Sequence, residues 1–384
     1  MHVAFLTCEY PPLPSGGIGT SVRTLARALA AAGHRVTVLG WGHDARFDDE
    51  GVRVVMQPAA RLPKSGWLAN RLGAHRTLRA LVEHEGLDIV EAPDWCGLSA
   101  GIRPACPVVI RCNGSALYFA RLLGERVSRS AAAAEWLALR QAAAVVAVSR
   151  FTASETRRLF RLRRPIGTIP NAIDPRQFEP ADPSHVDRDL VLHAGTVTRK
   201  KGVLDLCRAF SRLVDRRPAA RLVVVGRDTP DPRSGSASCW ALCWRELSDA
   251  ARRRTEYLGV QPHAEIRGHF AHAAVCAFPS HAEALPLAWL EAMACGRPIV
   301  AYDIGWAPEV VTPDETGVLA PHRDIEAFAR ALERLLSNPD RADAMGRAAR
   351  RDVETRFAAD RIARQTVAWY SEVLHPGAAS APAL

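Results

Sequence analysis

Lysine is nearly missing from this sequence. Three occur, Lys64, Lys200 and Lys201, against a formal net charge of +9, so arginine carries the positive charge. No basic run is interleaved with aromatics, which disfavours nucleic acid as a partner. The ten arginines between Arg121 and Arg164 fit a solvated helical face better than a membrane or anionic acceptor surface. No unbroken apolar stretch of about 18 residues exists, because Glu135 and Arg140 interrupt the best one, so no membrane-spanning helix is expected. The opening MHVAFLTCEY lacks the charged and long apolar regions of a signal peptide. The expected location is cytoplasmic, at most peripheral to the inner face of a membrane with weak association. No two of the nine cysteines have the C-x2-C spacing of a zinc site. Cys239 and Cys243, four apart, fit one helix face, and reduced buried thiols are expected.

At 384 residues the chain exceeds the size at which one core stops growing, about 250–300 residues, so two domains are expected. It is 48% hydrophobic and 24% charged, ordinary for a globular protein with two cores. Short apolar strands alternate with helical or loop material: HVAFLT, RVTVLG, VRVVM, DIVEA, PVVIRC and AVVAVS. That alternation predicts a parallel sheet covered on both faces. Thr20 or Ser21 is the expected cap of the first helix, which Gly33 stops. From Pro175 to Asp189 the texture turns Pro- and Asp-rich and reads as a linker. The same grammar then restarts with DLVLHAG, a helix over Val203 to Asp215, RLVVVG, VCAFPS and PIVAYD. The expected domains are 1–180, joined by a final amphipathic helix at 356–374, and 187–355. Arg227 to Trp240 reads as a Pro/Ser/Gly-rich loop, and the tail PGAASAPAL as disordered.

Three stretches carry candidate chemistry. SGGIGT, Ser15 to Thr20, links the first strand to the first helix, where open α/β sheets bind ligands. Glycines let the backbone approach a phosphate at a helix N-terminus, but a simple tight turn explains the loop as well. It is not G-x-G-x-x-G, and no acid closes the second strand, as a dinucleotide site would require. HAGTVTRKKGVLDL repeats the strand–glycine–helix order with Arg199, Lys200 and Lys201 together. A helix start favours anions over cations; a bound anion reconciles the two, and two of the three lysines stand here. That reading is preferred to solvated loop charge. HAEALPLAWLEAMACG sets Glu283 before a helix that Pro286 opens and Gly296 stops, with Glu291 inside it. Carboxylates accept hydrogen bonds from polyols. For Glu291 a plain surface glutamate is equally compatible with the spacing.

These residues resemble a known signature. The run from Glu283 through AMACGRPIVAYDIGWAPEVV and DETGVLAPHRD is similar to that of family-4 retaining glycosyltransferases of the GT-B fold. EYPPLPSGGIGT, AVVAVSRFTASET, IPNAIDPRQF, AGTVTRKKG, VVVGRD and YLGVQPHAEI extend the resemblance over most of the chain. It implies two tandem Rossmann-like doubly wound domains facing a central cleft, with the final helix crossing back to the first. It implies a nucleotide-sugar donor, UDP- or GDP-linked, held by the second domain, and an acceptor held by the first. The acceptor classes it allows are saccharides, lipid-linked glycans and natural products. By the resemblance Glu283 contacts the transferred sugar, Glu291 the ribose, and Lys201 the diphosphate. Gly16 and Gly17 match the loop that closes over that diphosphate. Tyr257 to Gln261, with Val260, match the wall beside the base. Leu285 and Leu287 belong to the same donor motif. Two positions depart from the pattern. Thr196 stands where the family often carries an arginine, leaving Arg199 or Lys200 as substitutes. Asn113 stands where it often carries a histidine; an amide hydrogen-bonds a hydroxyl but does not titrate near neutrality.

The expected chemistry is glycosyl transfer with retention, without cofactor or metal, since fixed cations and helix N-termini can stabilise the leaving diphosphate. The one D-x-D, Asp187 and Asp189, is placed in the linker as loop charge rather than as a metal site. A glycosidase also pairs carboxylates, but Glu283 and Glu291 do not clearly flank a bond. A nucleotide-sugar epimerase, a phosphorylase and a non-catalytic relative of the fold remain as alternatives.

Overall fold

A computed structural model describes residues 1–60 and 65–376. Lys64 and nearly all of the PGAASAPAL tail lie outside the described residues. The chain divides into two compact units. One comprises Met1–Ala172 and the segment from Ala359 on; the other is Ile173–Ala358.

In the first unit the elements are β1 (His2–Leu6), α1 (Gly17–Ala31), β2 (Arg35–Trp41), β3 (Ala45–Asp49), β4 (Val52–Gln57), α2 (Gly66–Glu85), β5 (Ile89–Pro93), β6 (Val108–Cys112), α3 (Ala116–Leu123), α4 (Arg129–Gln141), β7 (Ala144–Ala147), α5 (Arg150–Leu159) and β8 (Gly167–Thr168). They form one sheet in the order β3-β4-β2-β1-β5-β6-β7-β8. Every pairing is parallel except β3 with β4. All five residues of β1 and all five of β5 are buried, as a central strand covered on both faces requires. This is why both read as near-continuous apolar runs. The sequence gives less sign of β3: its hairpin turns at Glu50 and Gly51, both with positive φ, and alternate residues face solvent.

The second unit contains β9 (Asp187–Ala194), α6 (Val203–Arg216), β10 (Arg221–Val225), α7 (Cys239–Glu246), α8 (Asp249–Arg252), β11 (Thr255–Gly259), α9 (His263–His272), β12 (Ala273–Phe278), α10 (Leu287–Ala294), β13 (Ile299–Asp303), α11 (Ala307–Val310), β14 (Gly317–Pro321), α12 (Ile325–Leu336) and α13 (Pro339–Arg356). The sheet order β11-β10-β9-β12-β13-β14 is all parallel. Counted within the unit this is 3-2-1-4-5-6, the doubly wound order with a topological switch between β9 and β12. Its core packs Val191, Leu206, Phe210, Val224 and Phe328 among others.

Four expectations need correction. First, α1 starts at Gly17 with Gly16 as its cap, not at Thr20 or Ser21. The Thr20 hydroxyl instead donates back to Gly16 O at 3.1 Å, and Ser21 donates to Asn171 at 2.9 Å. Second, the supposed linker is built into the second unit. It holds two short 3-10 turns, and Arg350 donates to the carbonyls of Pro175 and Phe178. Third, Asp187 and Asp189 lie in β9, where they pair with Arg221 and Arg217. Fourth, the last helix is α14 (Ala359–Leu374), separated from α13 by Phe357 and Ala358. The break lies at the return crossing, where Ile173 N donates to Phe357 O at 3.0 Å.

α14 belongs to the first unit and packs Ile362, Ala363 and Tyr370 into its core. Tyr370 Oη donates to Glu91 at 2.8 Å, and Arg111 reaches Thr366 at 3.3 Å. Glu91 and Arg111 form a buried ion pair at 2.8 Å. The Pro/Ser/Gly-rich loop after β10 is stapled by its own side chains: Asp228 accepts from Ser238 and Trp240, Asp231 from Ser234.

Candidate active site

In the second unit the two strands that flank the switch point deliver the candidate residues. β9 ends at Ala194 and runs through Gly195 to Lys201; β12 ends at Phe278 and runs through Pro279 to Glu283. The two loops are fastened together, with His281 N donating to Lys200 O at 2.8 Å. Gly202 caps α6 at φ 70°, and a Cβ there would stand 1.7 Å from Pro279 O. Only glycine tolerates both the left-handed backbone and that approach. Lys201 Nζ is thereby brought to 2.5 Å from Glu283 Oε1, with the side chains 21% and 8% exposed. A mostly buried cation and a buried carboxylate meet at the mouth of α6, where free N–H groups favour an anion.

His193 completes this centre and was not singled out from the sequence. It is fully buried on β9, and its Nδ1 lies 2.8 Å from Ala277 O. A carbonyl only accepts, so the proton sits on Nδ1 and Nε2 presents a lone pair. Nε2 has no hydrogen-bond partner. A Cβ on Gly195 would lie 3.6 Å from Nε2 and 3.9 Å from Lys201 Cε, so the bare glycine leaves the space between them open. Burial, reinforced by Lys201, lowers the His193 pKa to about 4. The signal in the sequence was a histidine inside an otherwise apolar strand, two residues before the glycine turn.

The remaining second-unit candidates are spread around that pair. Arg199 is held by Asp231, with Nε 2.9 Å from both carboxylate oxygens. Arg199 in turn draws the Asp231 pKa down to about 2. Lys200 and Thr196 are partly exposed in the same loop. Glu291 lies on α10, where His263 Nε2 stands 3.2 Å away. Pro286 is the N-cap of α10 and Gly296 follows it with φ 67°. Leu285 is buried, Leu287 partly exposed, and Val260 is 71% exposed beyond the end of β11. Tyr257 beside it is stacked on Trp240 at 4.6 Å between ring centroids.

In the first unit, Gly16 and Gly17 form the start of α1, and an anion already meets it. Glu9 Oε2 accepts from Gly16 N at 2.8 Å and from Gly19 N at 3.4 Å. Asn113 follows β6; its N–H donates to Asp94 Oδ1 at 2.9 Å and its Nδ2 to Arg111 O at 3.3 Å. Asp94 is fully buried at the end of β5, its Oδ2 has no partner, and burial pushes its pKa up to about 8.

Two family comparisons cover most of the chain. Residues 15–177 match Glycosyltransferase Family 4, and residues 176–352 match Glycosyl transferases group 1. A glycogen synthase of Mycobacterium tuberculosis is 30% identical over 406 residues, covering 96% of this chain and 94% of that one. The chain belongs to the family-4 glycosyltransferases. A GDP-mannose-dependent phosphatidylinositol monomannoside mannosyltransferase of Mycolicibacterium smegmatis is 28% identical, over 90% of this chain and 92% of that one. Among solved structures, sucrose-phosphate synthase from Thermosynechococcus elongatus superposes with a TM-score of 0.80 at 23% identity, covering 97% and 98% of the two chains. HepE of Anabaena in complex with UDP-glucose gives 0.76 at 19% identity, covering 97% and 100%. The fold of this glycosyltransferase is therefore GT-B, two parallel-sheet α/β domains. Among its described residues no helix is long and apolar enough to cross a membrane. Nor do three or more His, Cys, Asp or Glu residues among them converge as for a metal ion.

Proposed function

We propose that this glycosyltransferase moves a sugar from a nucleoside diphosphate sugar to an acceptor hydroxyl with retention of configuration. The Lys201–Glu283 pair at the switch point carries the reading. Lys201 and the N-terminus of α6 meet the diphosphate, supplying the positive charge that a divalent cation supplies elsewhere. Glu283 turns to the hydroxyls of the transferred sugar, and Glu291 to the ribose. Val260 and its neighbours flank the base, while Leu285 and Leu287 hold the loop and helix that present the glutamates. In the first unit Gly16, Gly17 and Asn113 are the candidate polar positions, and at Gly16 the Glu9 carboxylate already takes the N–H that a phosphate would need. The diphosphate is UDP or GDP, a choice supported by a GDP-mannose-dependent relative and a UDP-glucose-bound structural neighbour.

In the transfer, the C1–O bond to the β-phosphate breaks and the bond from the acceptor oxygen to C1 forms on the same face. The acceptor proton passes to the departing phosphate oxygen. Glu283 orients the sugar and forms no covalent bond. Glu283→Ala should lower kcat by about 10²-fold or more while the thermal unfolding midpoint stays within a few degrees. Near-normal turnover in that variant removes the reading. Product NMR of the anomeric proton tests retention: an inverted anomer contradicts it.

A further inference from the structure

The first unit contains a second constellation, apart from Gly16, Gly17 and Asn113. An open pocket of about 480 Å³ is lined by Trp41, Trp67, Asn70, Arg71, Cys96 and Leu98 among others. Trp41 ends β2, and Cys96 follows the end of β5. These strands flank β1 on its two sides, so the pocket sits at this sheet's own switch point, where open α/β sheets hold ligands.

Arg71 has an unusual set of partners. Its Nη1 donates to Trp67 O at 3.2 Å, and its Nη2 to Gly97 O at 2.9 Å and Cys96 O at 3.3 Å. All are neutral carbonyls, and Cys96 takes a left-handed backbone (φ 54°) in the turn that offers two of them. Among the described residues no carboxylate pairs with Arg71, and its Nε is buried without a partner. A part-buried guanidinium without a counter-charge is costly. Burial lowers its pKa, and the ionisable groups that act on it are the Cys8 and Cys96 thiols. The guanidinium lies 5.3 Å from the Trp67 ring centroid, and Trp67 is 60% exposed. Asn70 Oδ1 accepts from Ala60 N at 2.7 Å, which leaves its NH2 as the polar group it offers the pocket. The pocket thus combines an uncompensated cation, the Asn70 amide and the exposed Trp67 indole. Cation and donors suit phosphate oxygens and hydroxyls; indole offers a flat apolar face.

We propose that this pocket is an acceptor subsite for a phosphorylated sugar or polyol, its phosphate drawn to Arg71 and its ring laid on Trp67. The proposal rests on the reading of the first unit as the acceptor-binding one. It goes beyond that reading by making the acceptor an anion. The same chemistry is offered by a free sugar phosphate and by a phosphoinositide headgroup.

The test is binding to the full chain without donor, by calorimetry. The soluble probes are glucose 1-phosphate, inositol 1-phosphate, inorganic phosphate and methyl α-glucoside; the membrane probes are phosphatidylcholine vesicles with and without phosphatidylinositol. A sugar phosphate or the phosphatidylinositol vesicles should bind, and methyl α-glucoside at least about tenfold more weakly. Whichever phosphorylated probe binds identifies the source. Arg71→Gln, which keeps a donor for the Gly97 carbonyl, should weaken that binding at least about tenfold. Trp67→Ala, on an exposed position, should weaken it while leaving the weak binding of inorganic phosphate unchanged. Lys201→Ala should leave it intact. Binding lost in Lys201→Ala but retained in Arg71→Gln overturns the proposal and leaves the donor site standing. Equal binding by parent, Arg71→Gln and Trp67→Ala also overturns it, as does no binding of any phosphorylated probe.

Discussion

His193 holds a neutral ring in the centre of the second unit, and that has a consequence for stability. Its pKa in the folded protein is about 4, below the unfolded value near 6.5. Between these values the unfolded chain binds a proton that the folded one refuses. Stability is therefore complete above about pH 6.5 and falls as pH drops toward 4. His281, also lowered to about 4 by burial, acts in the same window. Asp94, with its pKa raised to about 8, acts in the opposite sense as pH rises from 4 to 8. The parent-minus-variant difference isolates one group. His193→Asn keeps a donor toward Ala277 O and removes the titration. Urea unfolding from pH 7 to pH 4 should show the parent losing on the order of 1–3 kcal/mol more than this variant. Parallel pH profiles contradict the assignment. Glu283 and Lys201 stood out through their motifs and the family resemblance, and the structure brings the two side chains together. His193 did not stand out, because a single histidine in an apolar strand reads equally as a satisfied core residue. Only the distance to Ala277 O and the lone pair left on Nε2 distinguish the two.

At the scale of elements, strands and helices with strong apolar periodicity were readable, and their ends were less so. The first helix was expected to take Thr20 or Ser21 as its cap because hydroxyls cap helices. The chain uses Gly16 instead, with the acceptor supplied from outside the helix by Glu9. No local sequence rule anticipates a cap seven residues upstream. Asp187 and Asp189 were placed in a linker because the stretch from Pro175 is Pro- and Asp-rich with little periodicity; ion pairs with Arg221 and Arg217 hold them in β9. α14 was legible as an amphipathic helix, yet its attachment is polar. Glu91 accepts from both Arg111 and Tyr370, joining β5, β6 and α14 in one buried network. Glu91→Ala should strand the Arg111 guanidinium and cost about 3–5 kcal/mol of stability, read as a lower urea midpoint. A change below about 1 kcal/mol means the network contributes little.

For the whole molecule, the order of motifs along the chain was enough to indicate two doubly wound domains, because the motifs recur where a strand passes through a turn into a helix. Which residues gather there followed only from the sheet orders. In the second unit β9 and β12 are neighbours although 84 positions separate His193 from Ala277. Each unit has a cationic centre at its switch point, Lys201 in the second and Arg71 in the first. The central claim is that the Lys201–Glu283 centre receives the diphosphate of the donor. Calorimetric titration of UDP and GDP into the parent and into Lys201→Ala tests it most directly. The account predicts that at least one of the two binds the parent, and that Lys201→Ala weakens it by about tenfold or more. Equal affinity in both proteins, or no binding of either nucleotide to the parent, contradicts it.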